Sequence, residues 1–163
     1  MSQPVTAPHV RYDYDAFRKL APEAYAALVA LGQAVDHSGL DKALTELVKL
    51  RTSQINGCAF CVQIHLNVAR KIGVDRAKLD LVATWKDAGV FSERECAALA
   101  WAENLTDLPA RGASDEAYAA VRNHFTETEV VYLTLAIGTI NNWNRLGVAL
   151  RFAPPIPREV HAP

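Results

Sequence analysis

Helix starts and stops recur along the chain at short intervals, and no other feature constrains its fold as strongly. Two capping boxes, Ser92-x-x-Glu95 and Thr126-x-x-Glu129, each pair otherwise orphaned backbone N–H groups with side chains and so open a helix. Asp41, Asp75 and Ser114 stand at cap positions before further runs, and Pro22 sits at a first helical position, where its missing N–H is no loss. Gly39, Asn56-Gly57, Gly73 and Gly89 mark the stops. The expected elements are a short turn over Asp13–Leu20, helices opening at Pro22, Asp41 and near Cys58, and one unbroken helix from Asp75 to Gly89. Others follow from Ser92, from Ser114 and over Glu127–Leu150, with Pro109 and Gly112 marking a loop. The fold class that follows is all-α, a single-domain bundle of six to seven helices.

Length fits that reading. At 163 residues and 50% hydrophobic content the chain is one domain with ample material for a core. Residues 1–12, proline-bearing and without periodicity, read as a flexible N-terminal arm; 13–152 form the domain; 153–163, APPIPREVHAP, form a tail that cannot be helical through its prolines. Seventeen basic against 18 acidic residues give a net charge of −1, without the basic excess that draws nucleic acid or an anionic membrane. No charged region followed by an apolar core opens the chain, so a cytoplasmic location is expected. The longest apolar stretch, Val130 to Ile140, is too short to span a bilayer and is soon interrupted by Asn141, Asn142, Asn144 and Arg145.

That last helix is apolar on most sides through VVYLTLAIGTI, which predicts both a central position and a place at a subunit interface, hence a homo-oligomer. Its amides and guanidinium need partners: either they brace the active-site helix or they form a solvent-exposed turn. TELVKL with QIN, ending at Asn56, is weakly echoed by TEVVYL with TIN, ending at Asn141.

The stretch from Glu46 to His65, ELVKLRTSQINGCAFCVQIH, concentrates the chemistry. At about 100° per residue, Cys58, Cys61 and His65 fall within roughly 60° of one another on a helix. Thiols three residues apart have β-carbons roughly 5 to 6 Å from each other, close enough for a reversible disulfide with small adjustment. His65, one turn past Cys61, can hydrogen-bond that sulfur and take its proton, and Glu46 can orient the imidazole if its helix packs antiparallel to the cysteine helix. Glu46 itself stands at the border of an apolar stripe of Leu44, Leu47, Val48 and Leu50, compatible with a cleft or with solvent. Cys96, among Ala97, Ala98 and Leu99, reads as a small buried hydrophobe. Phe60, Ile64 and Phe91 read equally as core or as pocket.

Glu46, Cys58, Cys61 and His65 in this spacing, with the wording LVKLRTSQINGCAFCVQIH, resemble the AhpD-like alkylhydroperoxidases of the carboxymuconolactone decarboxylase superfamily. The resemblance extends more weakly through TLAIGTINNWNRLGVAL. It implies an all-helical peroxidase without cofactor or metal, assembled as a homotrimer or homohexamer. In it Cys61 attacks a small hydroperoxide, Cys58 resolves the sulfenic acid to a disulfide, Glu46 and His65 relay protons, and a lipoamide- or thioredoxin-type dithiol restores the pair. One departure is Phe60, where the founding peroxidase carries a histidine, so one relay member is absent.

Three rivals stand beside this reading. A lactone decarboxylase would need no thiol pair. A zinc-binding interaction protein could draw on the two thiols, His65 and Glu46, although structural zinc ordinarily uses two such cysteine pairs. A redox sensor would use the pair without turnover. As to which thiol attacks, the helix dipole favours a thiolate at Cys58, by about 0.3 to 1 kcal/mol. A base within reach of Cys61 is worth about 10² to 10⁴ in rate. The larger effect predicts Cys61.

Overall fold

A computed structural model of the chain describes residues 10–157; the expected arm over 1–9 and the tail over 158–163 lie outside the described residues. Helices account for all the regular structure among them: α1 Tyr14–Leu20, α2 Pro22–Asp36, α3 Lys42–Ile55, α4 Ala59–Lys71, α5 Arg76–Leu81, α6 Trp85–Ala88, α7 Glu93–Thr106, α8 Leu108–Arg111, α9 Asp115–Arg122 and α10 Glu127–Leu150. The caps explain the boundaries. Asp41 accepts from Leu44 N–H at 3.0 Å, and both capping boxes close reciprocally at the starts of α7 and α10.

Two expectations are corrected. The helix expected to run unbroken from Asp75 to Gly89 is instead α5, a 3₁₀ turn over Val82–Thr84, and α6. The tighter turn aligns residues three apart, so Leu79, Val82 and Trp85 all reach the core, and the Trp85 indole donates to Glu103 Oε1 at 3.0 Å. The expected loop at Pro109 contains a single helical turn, α8, with the proline in its first turn. Order also begins inside the expected arm. The N–H groups of Arg11 and Tyr12 both donate to Leu150 O at 3.2 Å, and Asn67 on α4 donates to Pro155 O at 3.0 Å. The N-terminal described end is thereby fastened to the C-terminal end of α10, and the C-terminal one to α4.

α3 is the centre of the bundle, packed against α4, α7 and α10. Leu44 and Val48 join Ala98, Trp101, Leu133 and Ile137 in one apolar cluster, while Leu47 and Leu50 join Ala69, Leu79, Val82 and Leu99 in a second. Fully buried leucines of this kind contribute about 1.5 to 3 kcal/mol each. A third cluster encloses Cys58 and Cys61 between α1, α4 and α10. Cys96 packs at the edge of the second cluster, partly buried. No helix among the described residues is long and apolar enough to cross a membrane.

Glu103 on α7 is a charge buried within this framework. It accepts from Arg51 Nε at 2.9 Å, Trp85 Nε1 at 3.0 Å and Arg111 at 3.1 Å, with Lys86 at 3.3 Å. Burial alone would raise its pKa, but these donors lower it overall. Glu103→Ala should therefore destabilise the fold by about 3 kcal/mol, the lower end for breaking a buried pair, since Lys86 and Arg111 reach solvent. Urea unfolding at neutral pH measures it. A carboxyl with a depressed pKa stabilises above its unfolded pKa and ceases to do so in acid, so the difference from wild type should narrow as pH falls.

Candidate active site

Asn56, Gly57 and Cys58 join α3 to α4 in a reversal that Gly57 makes at φ +66°, a region side chains resist. α4 folds back along α3, and this brings Glu46 against His65. Glu46 is 1% exposed, and its Oε2 accepts from His65 Nδ1 at 2.7 Å. Its Oε1 lies 3.1 Å from both Lys42 Nζ and Lys49 Nζ. Burial would raise this carboxyl's pKa, but the His65 hydrogen bond and the neighbouring positive charges more than offset it and hold it at about 2. An ionised carboxylate offers only lone pairs, so Nδ1 carries the hydrogen and Nε2 is the ring's free basic nitrogen when the imidazole is neutral. The position left open between cleft and solvent is therefore buried and ion-paired.

The thiols lie at the start of the same helix. Cys58 is the N-cap residue of α4, and its Sγ accepts from Cys61 N–H at 3.3 Å. A hydrogen bond from the Cys61 thiol, those from the Cys61 and Phe60 N–H groups, and the Asn144 amide outweigh burial and lower the Cys58 pKa to about 7. Cys61 shifts upward, because its hydrogen is held by the Cys58 sulfur and because it is buried. The two thiols titrate as a pair that shares one proton once the first is lost, the lower pKa lying with Cys58. His65, one turn past Cys61, spends Nδ1 on Glu46 and makes no hydrogen bond to the Cys61 sulfur.

Asn144, buried on α10, is held on both ends of its amide. Its Oδ1 accepts from Asn56 Nδ2 at 2.9 Å and its Nδ2 donates to Ser53 Oγ at 3.0 Å. Asn56 Nδ2 also donates to Asn141 Oδ1 at 2.9 Å, so the two asparagines that close the echoed segments are hydrogen-bonded to each other. Asn141 and Asn144 therefore brace the junction of α3 and α4, whereas Asn142 and Arg145 face outward.

An aromatic shell of Phe17, Phe60, Phe152, Tyr14, Tyr25 and Trp143 surrounds the thiols, which are 1% and 3% exposed. Phe60 belongs to this shell, with its ring 5.1 Å from that of Phe152, while Phe91 packs in the second cluster. Beside the shell is a cavity of about 100 Å³ walled by Val35, Ala136, Ile140 and Trp143, with Lys49 and His65 among its polar groups. Ile140 and Trp143 belong to both cavity wall and thiol cluster.

The four residues singled out from the sequence form two pairs at the α3–α4 hairpin, Glu46 with His65 and Cys58 with Cys61, with His65 one turn past Cys61 on α4. A zinc set of the same four is not assembled, since Glu46 is bound to His65 and two lysines, and among the described residues no three His, Cys, Asp or Glu side chains converge as ligands. Sequence reasoning missed Ser53, Gly147 and Phe152. The signal for Gly147 was available in part: it follows Asn144 by three residues in a helix whose buried face is otherwise apolar.

Comparison with known proteins bears on family and fold. Residues 22–104 match the carboxymuconolactone decarboxylase family. The chain is 35% identical to protein YdfG of Bacillus subtilis (strain 168) over 82% of its own length and 91% of that protein. Over a shorter span, 26% of this chain and 24% of its counterpart, it is 48% identical to alkyl hydroperoxide reductase AhpD of Rhodococcus erythropolis. A crystal structure from Agrobacterium tumefaciens, of a protein of unknown function and a candidate AhpD antioxidant defence protein, superposes with a TM-score of 0.85 at 39% identity. That match covers 91% of this chain and 99% of the other. The chain belongs to the carboxymuconolactone decarboxylase family, as an AhpD-like member of that superfamily.

Proposed function

We propose that the chain is a thiol-dependent peroxidase of the alkyl hydroperoxide reductase type. The observation that carries this reading is the 2.7 Å Glu46–His65 hydrogen bond, one turn from a buried Cys-x-x-Cys pair and beside a small cavity. A hydroperoxide enters the cavity. Cys61 passes its proton to Cys58 or to His65 Nε2, and its thiolate attacks the outer peroxide oxygen. The O–O bond breaks, Cys61 becomes a sulfenic acid, and the leaving alkoxide departs as alcohol with a proton from the relay. Cys58 sulfur then displaces hydroxide from Cys61, which leaves as water, and the disulfide forms. The pair has supplied two electrons and its one proton, and a second proton taken up from solvent through the relay completes one alcohol and one water. An external dithiol, of lipoamide or thioredoxin type, returns them by exchange.

The family's lactone decarboxylase chemistry would leave a buried, proton-sharing dithiol without a task. A redox sensor would form the same disulfide, and only turnover with excess dithiothreitol separates catalyst from sensor. The exposed Val131 and Leu135, on one face of α10, support assembly as a homo-oligomer through that face. Sedimentation at micromolar concentration should give a species heavier than the 17.8 kDa chain; a monomer would refute assembly.

Cys61→Ser should abolish peroxide consumption even in its first turnover. Cys58→Ser should react once and stop at a sulfenic acid trappable by dimedone. His65→Ala and Glu46→Gln should slow that single turnover by about 10² to 10⁴ without preventing disulfide formation by a strong oxidant. If the two cysteine phenotypes are exchanged, Cys58 is the attacking thiol. The pH dependence follows from the lowered thiol: the anion of the pair accumulates above about 7, so peroxide-driven disulfide formation should rise through that pH and level off above it. A rise confined to the ordinary thiol range near pH 9 would contradict the shared-proton arrangement.

A further inference from the structure

Gly147 lies within α10 with an ordinary helical backbone, so nothing in its conformation calls for glycine. Helix interiors disfavour glycine relative to alanine. Its surroundings supply the reason. A β-carbon at this position would stand 2.7 Å from Cys58 Sγ and 3.5 Å from Cys61 Sγ, with the Phe152 ring at 3.8 Å. The first distance is far inside van der Waals contact, and interiors packed this closely yield little. Gly138, on the exposed side of the same helix, has nothing within 4 Å of its corresponding position.

We propose that Gly147 is a positioning residue for the dithiol: the space left by its missing side chain seats Cys58 Sγ at the N-terminus of α4, where the Cys61 N–H reaches it. Beside the seat on the same face of α10 stands Asn144, three residues earlier, whose amide is fixed by Asn56 and Ser53 and favours the Cys58 thiolate. Any side chain at 147 drives the Cys58 sulfur from this seat and away from the donors that favour its thiolate. The inference rests on the pair being the reactive site. Titration reads the thiols whether or not a peroxide is turned over, so the seat and the peroxidase reading fail separately.

The test is the ultraviolet absorbance of thiolate against pH in the reduced protein, in a Cys96→Ser background. With Gly147→Ala the first thiol midpoint should move from about 7 toward 9, and the thiolate share at pH 7 should fall up to roughly fifty-fold. Gly138→Ala makes the same exchange on the same helix and should keep the wild-type midpoint. An unchanged midpoint in folded Gly147→Ala overturns the proposal. Where Gly147→Ala alone does not fold, its combination with Cys58→Ala decides. Recovered folding shows that the added methyl and the sulfur compete for one space; continued failure shows that the glycine serves another neighbour, and the proposal falls.

Discussion

Burying the Glu46 carboxylate is the constraint on which the site depends. A carboxylate with 1% exposure is unsustainable without matched donors, and the effective penalty is several kcal/mol before compensation. Two lysines of its own helix, at positions four before and three after it, can reach one oxygen without any tertiary structure. The other oxygen needs a donor from elsewhere, and His65 supplies it only if α4 folds back along α3 in the observed register. The electrostatics of one side chain and the geometry of the Gly57 reversal therefore specify the same packing. The His65 imidazole is oriented as a consequence.

α10 supplies the remaining order. Its buried face is apolar, but at Asn141 and Asn144 it presents two amides to the junction of α3 and α4. Each unpaired buried amide would cost about 1 to 3 kcal/mol, so the helix can settle in one rotational setting only. That setting places Gly147 against the thiols and Trp143 at both the cavity and the aromatic shell. Asn56 and Asn141, which close the echoed segments, bond across the α3–α10 contact. A correspondence too short to interpret in sequence is a contact in space.

What was legible followed from local physics. Caps and stops depend on neighbours three or four residues away, so Asp41, the two capping boxes and the full length of α10 could be read directly. The α5–α6 segment could not, because its 3₁₀ turn is imposed by Leu79, Val82 and Trp85 reaching a core whose other wall, with Glu103, is supplied by α7. Likewise Glu46, Cys58, Cys61 and His65 could be named from spacing, whereas the depth of Glu46 depended on which faces α4 and α7 covered. The helical wheel placed Glu46 at the border of a stripe, and tertiary packing moved that border. Phe152 was hidden for another reason: it stands past the end of α10 and just before the proline-rich tail, and nothing local indicates that the chain there turns back into the thiol cluster.

The distribution of charge on the dithiol bears on which sulfur reacts. Cys58 is the more acidic thiol because the Cys61 thiol, the Cys61 and Phe60 N–H groups and the Asn144 amide favour its anion, and lowering a thiol from 9 to about 7 corresponds to roughly 3 kcal/mol. A rate, however, depends on the transition state and not on the most populated ground state. Moving the shared proton from Cys61 to Cys58 leaves the total charge of the pair unchanged, so it incurs no new burial of charge. What it forfeits is part of that stabilisation of Cys58. A positioned acid–base group contributes about 10² to 10⁴ in rate, equivalent to about 2.7 to 5.5 kcal/mol, and the imidazole that can protonate the departing alkoxide lies one turn from Cys61 and nearly two from Cys58. The comparison favours Cys61 as the attacking sulfur in the proposed cycle even though Cys58 is the more acidic. The same arrangement prepares the second step: after attack Cys58 is the sulfur already surrounded by N–H donors, so it readily gives the proton it took to the departing alkoxide and, as thiolate, displaces hydroxide from the sulfenic acid.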